Sequence, residues 1–224
     1  MSRFPNFLII GAQKSGTTSL YHYLSEHPEI YMPKKKEPQF FGFEGRDVDF
    51  RLPHGKAPFV ITDLEEYLKL FEEAGEAKAV GEASTTYLHE PQAPRRIKHY
   101  IPDAKLIAIL RNPVTRIWSH FLHSVRAGRE KLEDFEAALR DEEKRKVDHW
   151  GFSFYYKEKG FYTEQLQRYL MLFPRDQMSI HIMDDLKENP RHLLKELYAF
   201  LEVDESYEPD LEKKYNVMDL SDAR

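Results

Sequence analysis

The stretch LIIGAQKSGTTSLYHYL, residues 8–24, decides the fold: an apolar run ends in glycine, a short turn follows, and a helical pattern begins. Leu20, Tyr23 and Leu24 share one face of that helix, and Pro28 stops it. Strand, loop and helix in that order are the opening unit of a sheet that binds ligands beyond the carboxyl ends of its strands. The turn has the spacing of a phosphate loop, G-x-x-x-x-G-K-[ST], because Gly11 and Gly16 stand at the two glycine positions. Its lysine is displaced, however: Lys14 lies between the glycines, and Thr17 stands where lysine belongs.

The chain of 224 residues is long enough for one sizeable α/β domain, and residues 1–224 are read as a single domain. Hydrophobic residues make up 41% and aromatics 13%, which a disordered chain would lack. A net charge of -5 argues against a general nucleic-acid partner, so any basic site must be local. Cysteine is absent, which excludes thiolate catalysis and disulfides. The apolar run starts within six residues of Met1, leaving no room for a secretory leader, and no run of 18 apolar residues occurs. A cytoplasmic protein without a transmembrane segment is expected; its oligomeric state is not encoded in any pattern here.

Further along, residues 31–58 mix Pro, Gly, Lys and aromatics without a period and read as a long functional loop rather than a packed element. DLEEYLKLFEEA predicts a helix with Asp63 as N-cap and Leu64, Tyr67, Leu68 and Phe71 inward. KAVGEAS predicts a strand, PQAPRRIKHYI a helix, AKLIAIL a buried strand, and PVTRIWSHFLHSVRAG a helix with proline in its first turn and glycine past its end. LEDFEAALRDEEKRK predicts a charged surface helix, FYTEQLQRYLMLF an amphipathic one, MSIHIM a strand, and PRHLLKELYAFL a late helix. Strands separated by helices pair in parallel, so the expected fold is a P-loop-like three-layer α/β architecture, a central parallel sheet flanked by helices.

The first turn carries the clearest chemistry. Gly11 and Gly16 let successive N–H groups point inward, Ser15, Thr17 and Thr18 add hydroxyls at the positive end of a helix, and Lys14 is a cation at the crest. A magnesium-dependent nucleotide enzyme also needs a carboxylate at the end of a second strand. The strand LIAIL ends instead in Arg111 and Asn112, with Ser119 on the next helix, so anionic charge is met by arginine and no metal site is expected.

Together these stretches resemble the sulfotransferases that use 3′-phosphoadenosine-5′-phosphosulfate, PAPS. GAQKSGTTSL resembles their 5′-phosphosulfate loop, and LRNPVTRIWSHF, about 90 residues further on, their 3′-phosphate motif. KKKEPQFF, GEASTTYL and KGFYTEQLQRYLMLF are similar to segments of the heparan-sulfate-type and bacterial branch, so the likeness spans nearly the whole chain. The resemblance implies metal-independent transfer of a sulfuryl group from PAPS to a hydroxyl or amine of a glycan or small-molecule acceptor. It implies that Lys14 meets the charge on the leaving oxygen and that Ser15, Gly16, Thr17 and Thr18 hold the 5′-phosphate. Arg111 and Ser119 would bind the 3′-phosphate, while Gly160 and Tyr162 would lie by the nucleotide. Glu37 matches the family's catalytic base and His123 an active-site histidine, with His120 as an alternative base that helical spacing turns elsewhere. Lys36 and Lys35 would face an anionic acceptor; Glu82, Ser84 and Tyr87 match the acceptor-side segment.

Two departures stand out. Relatives commonly carry lysine where this chain has Ala83, which removes a charge expected beside a sulfated polysaccharide. They also continue past KYNV with a basic closing segment, which is short or missing before Arg224. The competing readings are a P-loop kinase or hydrolase of unusual loop sequence and a nucleotide-binding domain without turnover.

Overall fold

Four residues with no solvent exposure, Phe7, Leu8, Ile9 and Ile10, form the body of the first strand, β1 (Phe7–Gly11). Each contributes roughly 1.5–3 kcal/mol of burial. Successive side chains on a strand point to opposite faces. Leu8 and Ile10 therefore enter one core layer, with Val80, Leu106 and Ala108, while Phe7 and Ile9 enter the other, with Ala79, Ile107 and Ile109. A sheet apolar on both faces needs helices on both, and that is the arrangement in the computed structural model, which describes residues 3–48, 59–132 and 134–212.

Among these residues the sheet has five strands in the order β2-β3-β1-β4-β5: β2 (Ile30–Tyr31), β3 (Ala79–Ala83), β1, β4 (Lys105–Leu110) and β5 (Met178–Ile182). Every pairing is parallel. The β1–β3 pair is drawn close at Gly81, where an added Cβ would lie 2.4 Å from the Phe7 ring. The chain order reverses at β1, so the carboxyl ends of β1 and β4 open onto a common crevice.

Helix α1 (Thr17–Ser25) buries Leu20, Tyr23 and Leu24 as expected, and Tyr21 as well. Helix α3 (Leu64–Lys69) starts at Asp63, whose carboxylate accepts the Glu66 N–H at 2.8 Å. Tyr67 and Phe71 are fully buried there, whereas Leu64 and Leu68 are only half-buried. Helix α4 (Ala93–Tyr100) leads into β4, and α5 (Pro113–Arg126) follows it with Pro113 in its first turn and the Asn112 carboxamide oxygen capping Val114 and Thr115. Among the described residues no helix is long and apolar enough to cross a membrane.

Two local expectations change. The loop after β2 is packed, not merely surface: Phe40 and Phe41 form a short helix, α2 (Phe40–Phe43), and are fully buried against Tyr67. Aromatic burial overrides the turn-like composition; residues 49–58 of the stretch lie outside the described residues. The charged helix also divides at Asp141 into α6 (Phe135–Arg140) and α7 (Glu142–Val147), and part of it is interior. Arg145 is 2% exposed because Glu130 meets it with both oxygens at 2.6 and 3.1 Å and Asp141 at 2.7 Å. Glu142, fully buried, accepts the backbone N–H groups of Lys157 and Glu158. Charge that is paired and hydrogen-bonded can be buried, and periodicity does not reveal the partner.

The fold closes with α8 (Tyr162–Leu170), β5, α9 (Met183–Glu188) and α10 (Pro190–Leu201), whose Leu193, Leu194 and Leu197 cover the second face of the sheet. The KYNV segment and the final residues lie outside the described residues.

Candidate active site

The turn from β1 into α1 is built around backbone that side chains normally avoid. Gly16 has φ of 91° at the N-cap of α1, and a Cβ there would press on Leu186 at 3.1 Å, so glycine is required. Lys14 adopts φ of 65° with a full side chain. Left-handed backbone in a non-glycine residue costs roughly 1–3 kcal/mol and persists where its surroundings over-determine it. One determinant is Arg111 at the end of β4, whose guanidinium donates to the Lys14 carbonyl at 3.3 Å and to the Thr115 hydroxyl at 2.9 Å.

This turn forms one wall of a cleft of about 1140 Å³. Lys14, Gly16, Thr17 and Thr18 line it from the loop and α1; Arg111, Ser119 and His123 line it from β4 and α5. Lys36 and Glu37 line it from the segment after β2. The structure thus gathers residues from three separate stretches of sequence at the carboxyl edge of the sheet.

Glu37 is held firmly. Its Oε2 accepts the Thr85 N–H at 2.9 Å, both its oxygens face the Thr85 hydroxyl at 3.2 Å, and Lys36 pairs with Oε1 at 2.7 Å. Its own N–H donates to Ala83, and φ at Glu37 is 61°. Lys35 turns aside and lies over the Phe59 ring, 2.9 Å from its centroid.

Glu82, Ser84 and Tyr87, expected on the acceptor side, are fully buried behind this wall and line no part of the cleft. Glu82 accepts hydrogen bonds from Tyr87 at 2.6 Å, Ser84 at 2.9 Å and Tyr67 at 3.3 Å. The Ser84 oxygen in turn accepts the N–H of Gln39, another left-handed residue at φ of 60°. The segment therefore supports the Glu37 loop from below. Burial raises the Glu82 carboxyl to about 7; the Tyr87 and Ser84 hydrogen bonds oppose that rise, and the nearby Glu37 charge adds to it.

Gly11, Ser15, Gly160 and Tyr162, expected at the nucleotide, do not line the cleft. The buried Ser15 and Tyr162 hydroxyls are neighbours, each without a hydrogen bond of good geometry. Gly160 packs against Pro113, where an added Cβ would sit 3.5 Å away. His120 is buried with its ring edge-on to Tyr156, so it does not share the face of His123.

The cleft is electrostatically one-sided. Lys14 is pushed below the ordinary lysine range by burial and then by the positive charges of Arg111 and Arg126. His123 is pushed down to about 4 by burial and by Lys14, Arg129 and Arg126. Cations that depress one another in a partly buried cleft form a site short of negative charge, and the chemistry that fits it is a polyanion.

Several lining residues escaped the sequence reading: Gln13, Thr85, Arg129, Phe152 and Lys159. Gln13 stood one position from the quoted lysine, and Lys159 one position before Gly160, but nothing local marks a buried lysine within the run YKEKG.

Comparison with known proteins agrees with this geometry. A family model described as "Sulfotransferase domain" matches residues 4–218. The chain is 39% identical to a sulfotransferase from Alicyclobacillus acidocaldarius whose crystal structure superposes with a TM-score of 0.87, covering 96% of this chain and 87% of that one. It is 30% identical over 228 residues to the human bifunctional heparan sulfate N-deacetylase/N-sulfotransferase 3, covering 90% of this chain and 22% of that protein. The chain therefore spans about a fifth of the length of that curated relative. A sulfotransferase domain of the curacin biosynthetic pathway, 19% identical with a TM-score of 0.63, covers 93% of this chain and 77% of that one and shares the fold. Cation-lined cleft, parallel sheet and matched family model converge on one assignment: the chain belongs to the sulfotransferase domain family, whose members transfer sulfuryl groups from PAPS.

Proposed function

We propose that this cleft binds PAPS through the β1–α1 turn, acting as a P-loop-like phosphate loop, and passes its sulfuryl group to a hydroxyl or amine of a glycan or small-molecule acceptor. The observation that carries the reading is the convergence of Lys14, Arg111, Ser119 and Glu37 on one cleft. As a sulfotransferase the enzyme needs no metal for this step, because the charge that develops on the departing oxygen is met by a fixed cation.

In this reading the backbone N–H groups from Ser15 to Thr18 and the Thr17 and Thr18 hydroxyls hold the 5′-phosphate at the positive end of α1. Arg111 and Ser119 hold the 3′-phosphate, and Gly160 and Tyr162 shape the nucleotide side from beneath. Lys14 stabilises the leaving oxygen. Glu37 takes the proton from the attacking acceptor group, and its bonds to Thr85 and Lys36 keep the carboxylate aimed. Lys36 also presents positive charge to the acceptor. His123, neutral near pH 7, serves there as a hydrogen-bonding group. Glu82, Ser84 and Tyr87 act on the acceptor side indirectly, by fixing the loop that carries Glu37.

The test is calorimetric titration of the protein with 3′-phosphoadenosine-5′-phosphate, PAP, with and without EDTA, beside ATP with magnesium. Binding of PAP that is indifferent to EDTA and weakened by Arg111→Ala supports the assignment. Preference for ATP with magnesium would replace it with a phosphoryl-transfer enzyme; PAP binding without sulfuryl transfer, together with indifference to Glu37→Ala, would leave a binding domain.

A further inference from the structure

Lys159 belongs to a short 3₁₀ turn, Glu158–Gly160, that the fold holds rigidly. Glu142 grips the N–H groups of Lys157 and Glu158 at 2.6 and 3.0 Å, and Gly160 rests against Pro113 at the start of α5. The side chain is only 4% exposed yet lines the cleft. Its ammonium donates to Oε1 of Gln13 at 2.7 Å and lies 5.0 Å from the centroid of the Phe152 ring.

Among the described residues no carboxylate stands at ion-pair distance from this ammonium. Glu37 is engaged by Lys36 and Thr85, Glu158 by Lys146 at 2.5 Å, and Glu142 by backbone amides. An ammonium has three donors, and Gln13 takes one. A buried cation with spare donors and no counter-ion is costly unless an anion completes it. Gln13 is adjacent to Lys14, and because its carbonyl oxygen accepts from Lys159, its amide N–H groups are left for the cleft.

We propose that Lys159, with Gln13, forms a subsite for the sulfonate oxygens of the donor, distinct from the leaving-oxygen role of Lys14. This rests on the reading of the cleft as a PAPS site. The groups that face Lys159 are the Arg116 guanidinium and the His120 ring from α5 and the His89 ring from the segment after β3, both rings held neutral chiefly by burial, with the Glu37, Glu158 and Glu142 carboxylates near it but engaged elsewhere. Burial, then Arg116, brings Lys159 down to about 7, so a bound sulfonate also restores its proton near neutral pH.

The experiment compares Kd for PAPS and for PAP by calorimetry at low temperature in wild type, Lys159→Met and Lys159→Arg. The two ligands differ only in the sulfonate, so Lys159→Met is expected to weaken PAPS about tenfold or more while PAP stays within about twofold. Lys159→Arg, which keeps a cationic donor, is expected to recover most of the PAPS affinity. Proton uptake on PAPS binding, read from buffers of different ionisation heat, should fall in Lys159→Met. Equal losses for both ligands would make Lys159 a purely structural residue, and unchanged PAPS affinity would remove it from the site; either overturns the proposal. Failure of wild type to bind PAP overturns the underlying reading instead.

Discussion

The backbone N–H of Thr85 donates to Oε2 of Glu37 at 2.9 Å, tying the second residue past the end of β3 to a carboxylate of the β2–β3 connection. Because the bond comes from the main chain, it survives most side-chain changes at position 85. Glu37→Gln keeps the size of the side chain but removes the base. Sulfuryl transfer to any acceptor that supports turnover should fall by about 10²–10⁴-fold, with PAP affinity nearly unchanged. Thr85→Ala, which keeps the N–H, should cost far less. Initial rates with labelled PAPS across a panel of hydroxyl and amine acceptors decide this, and a Glu37→Gln enzyme of wild-type rate would displace Glu37 as the base.

The depressed cations of the cleft predict a proton linkage. A bound polyanion raises the affinity of Lys14 and Lys159 for protons, so the bound state holds more protons than the free state. With Lys159 near 7, binding of PAPS between pH 7 and 8 should take up on the order of half a proton, and binding of PAP, which lacks the sulfonate, clearly less. Calorimetric enthalpies in buffers of different ionisation heat measure it; release of protons would contradict the sign.

Glu82 titrates in the fold at about 7, above its ordinary value of 4.5, because burial disfavours the carboxylate. The folded state therefore binds this proton more strongly than the unfolded chain. Stability from this group is complete below pH 4.5 and is lost as pH rises toward about 7. Glu82→Gln removes the penalty while retaining an acceptor for Tyr87. Its stability relative to wild type should improve by roughly 1–3 kcal/mol between pH 5 and pH 8. Urea unfolding at the two pH values tests this, and a difference that does not change with pH would show that Glu82 is ionised in the fold at pH 5.

Arg145 and Glu130 are each 2% exposed and doubly hydrogen-bonded. Arg145→Met leaves Glu130 buried with only Tyr156 and its local backbone bonds. A loss of about 3–5 kcal/mol is expected, read as a lower urea midpoint at unchanged slope. Replacing Arg140, whose pair with Glu136 is exposed on both sides, should change little.

Much of this fold was legible in the sequence. The apolar runs at Phe7, Lys105 and Met178 alternate with amphipathic helices, and that alternation dictates parallel strands and helices on both faces. Lys14 and Arg111 were legible for the same reason: a polar residue at the end of a parallel strand has a place defined by topology. The glycine at position 16 marked a left-handed turn that only glycine adopts cheaply.

What only the tertiary structure decided is which charges face water. Glu82, Arg145, Glu142 and Lys159 occupy ordinary-looking polar runs, yet all four are buried, because hydrogen-bond partners on other segments receive them, Glu130 for Arg145 and Gln13 for Lys159 among them. Local periodicity encodes which face of an element is apolar; it does not encode the long-range hydrogen bonds that make a buried charge tolerable. The sequence by itself thus determined the sheet, its crevice and the cation at the loop crest. The separation of Glu37 in the cleft from Glu82 beneath it, and the burial of Lys159 beside Gln13, were set by packing between elements distant in the chain.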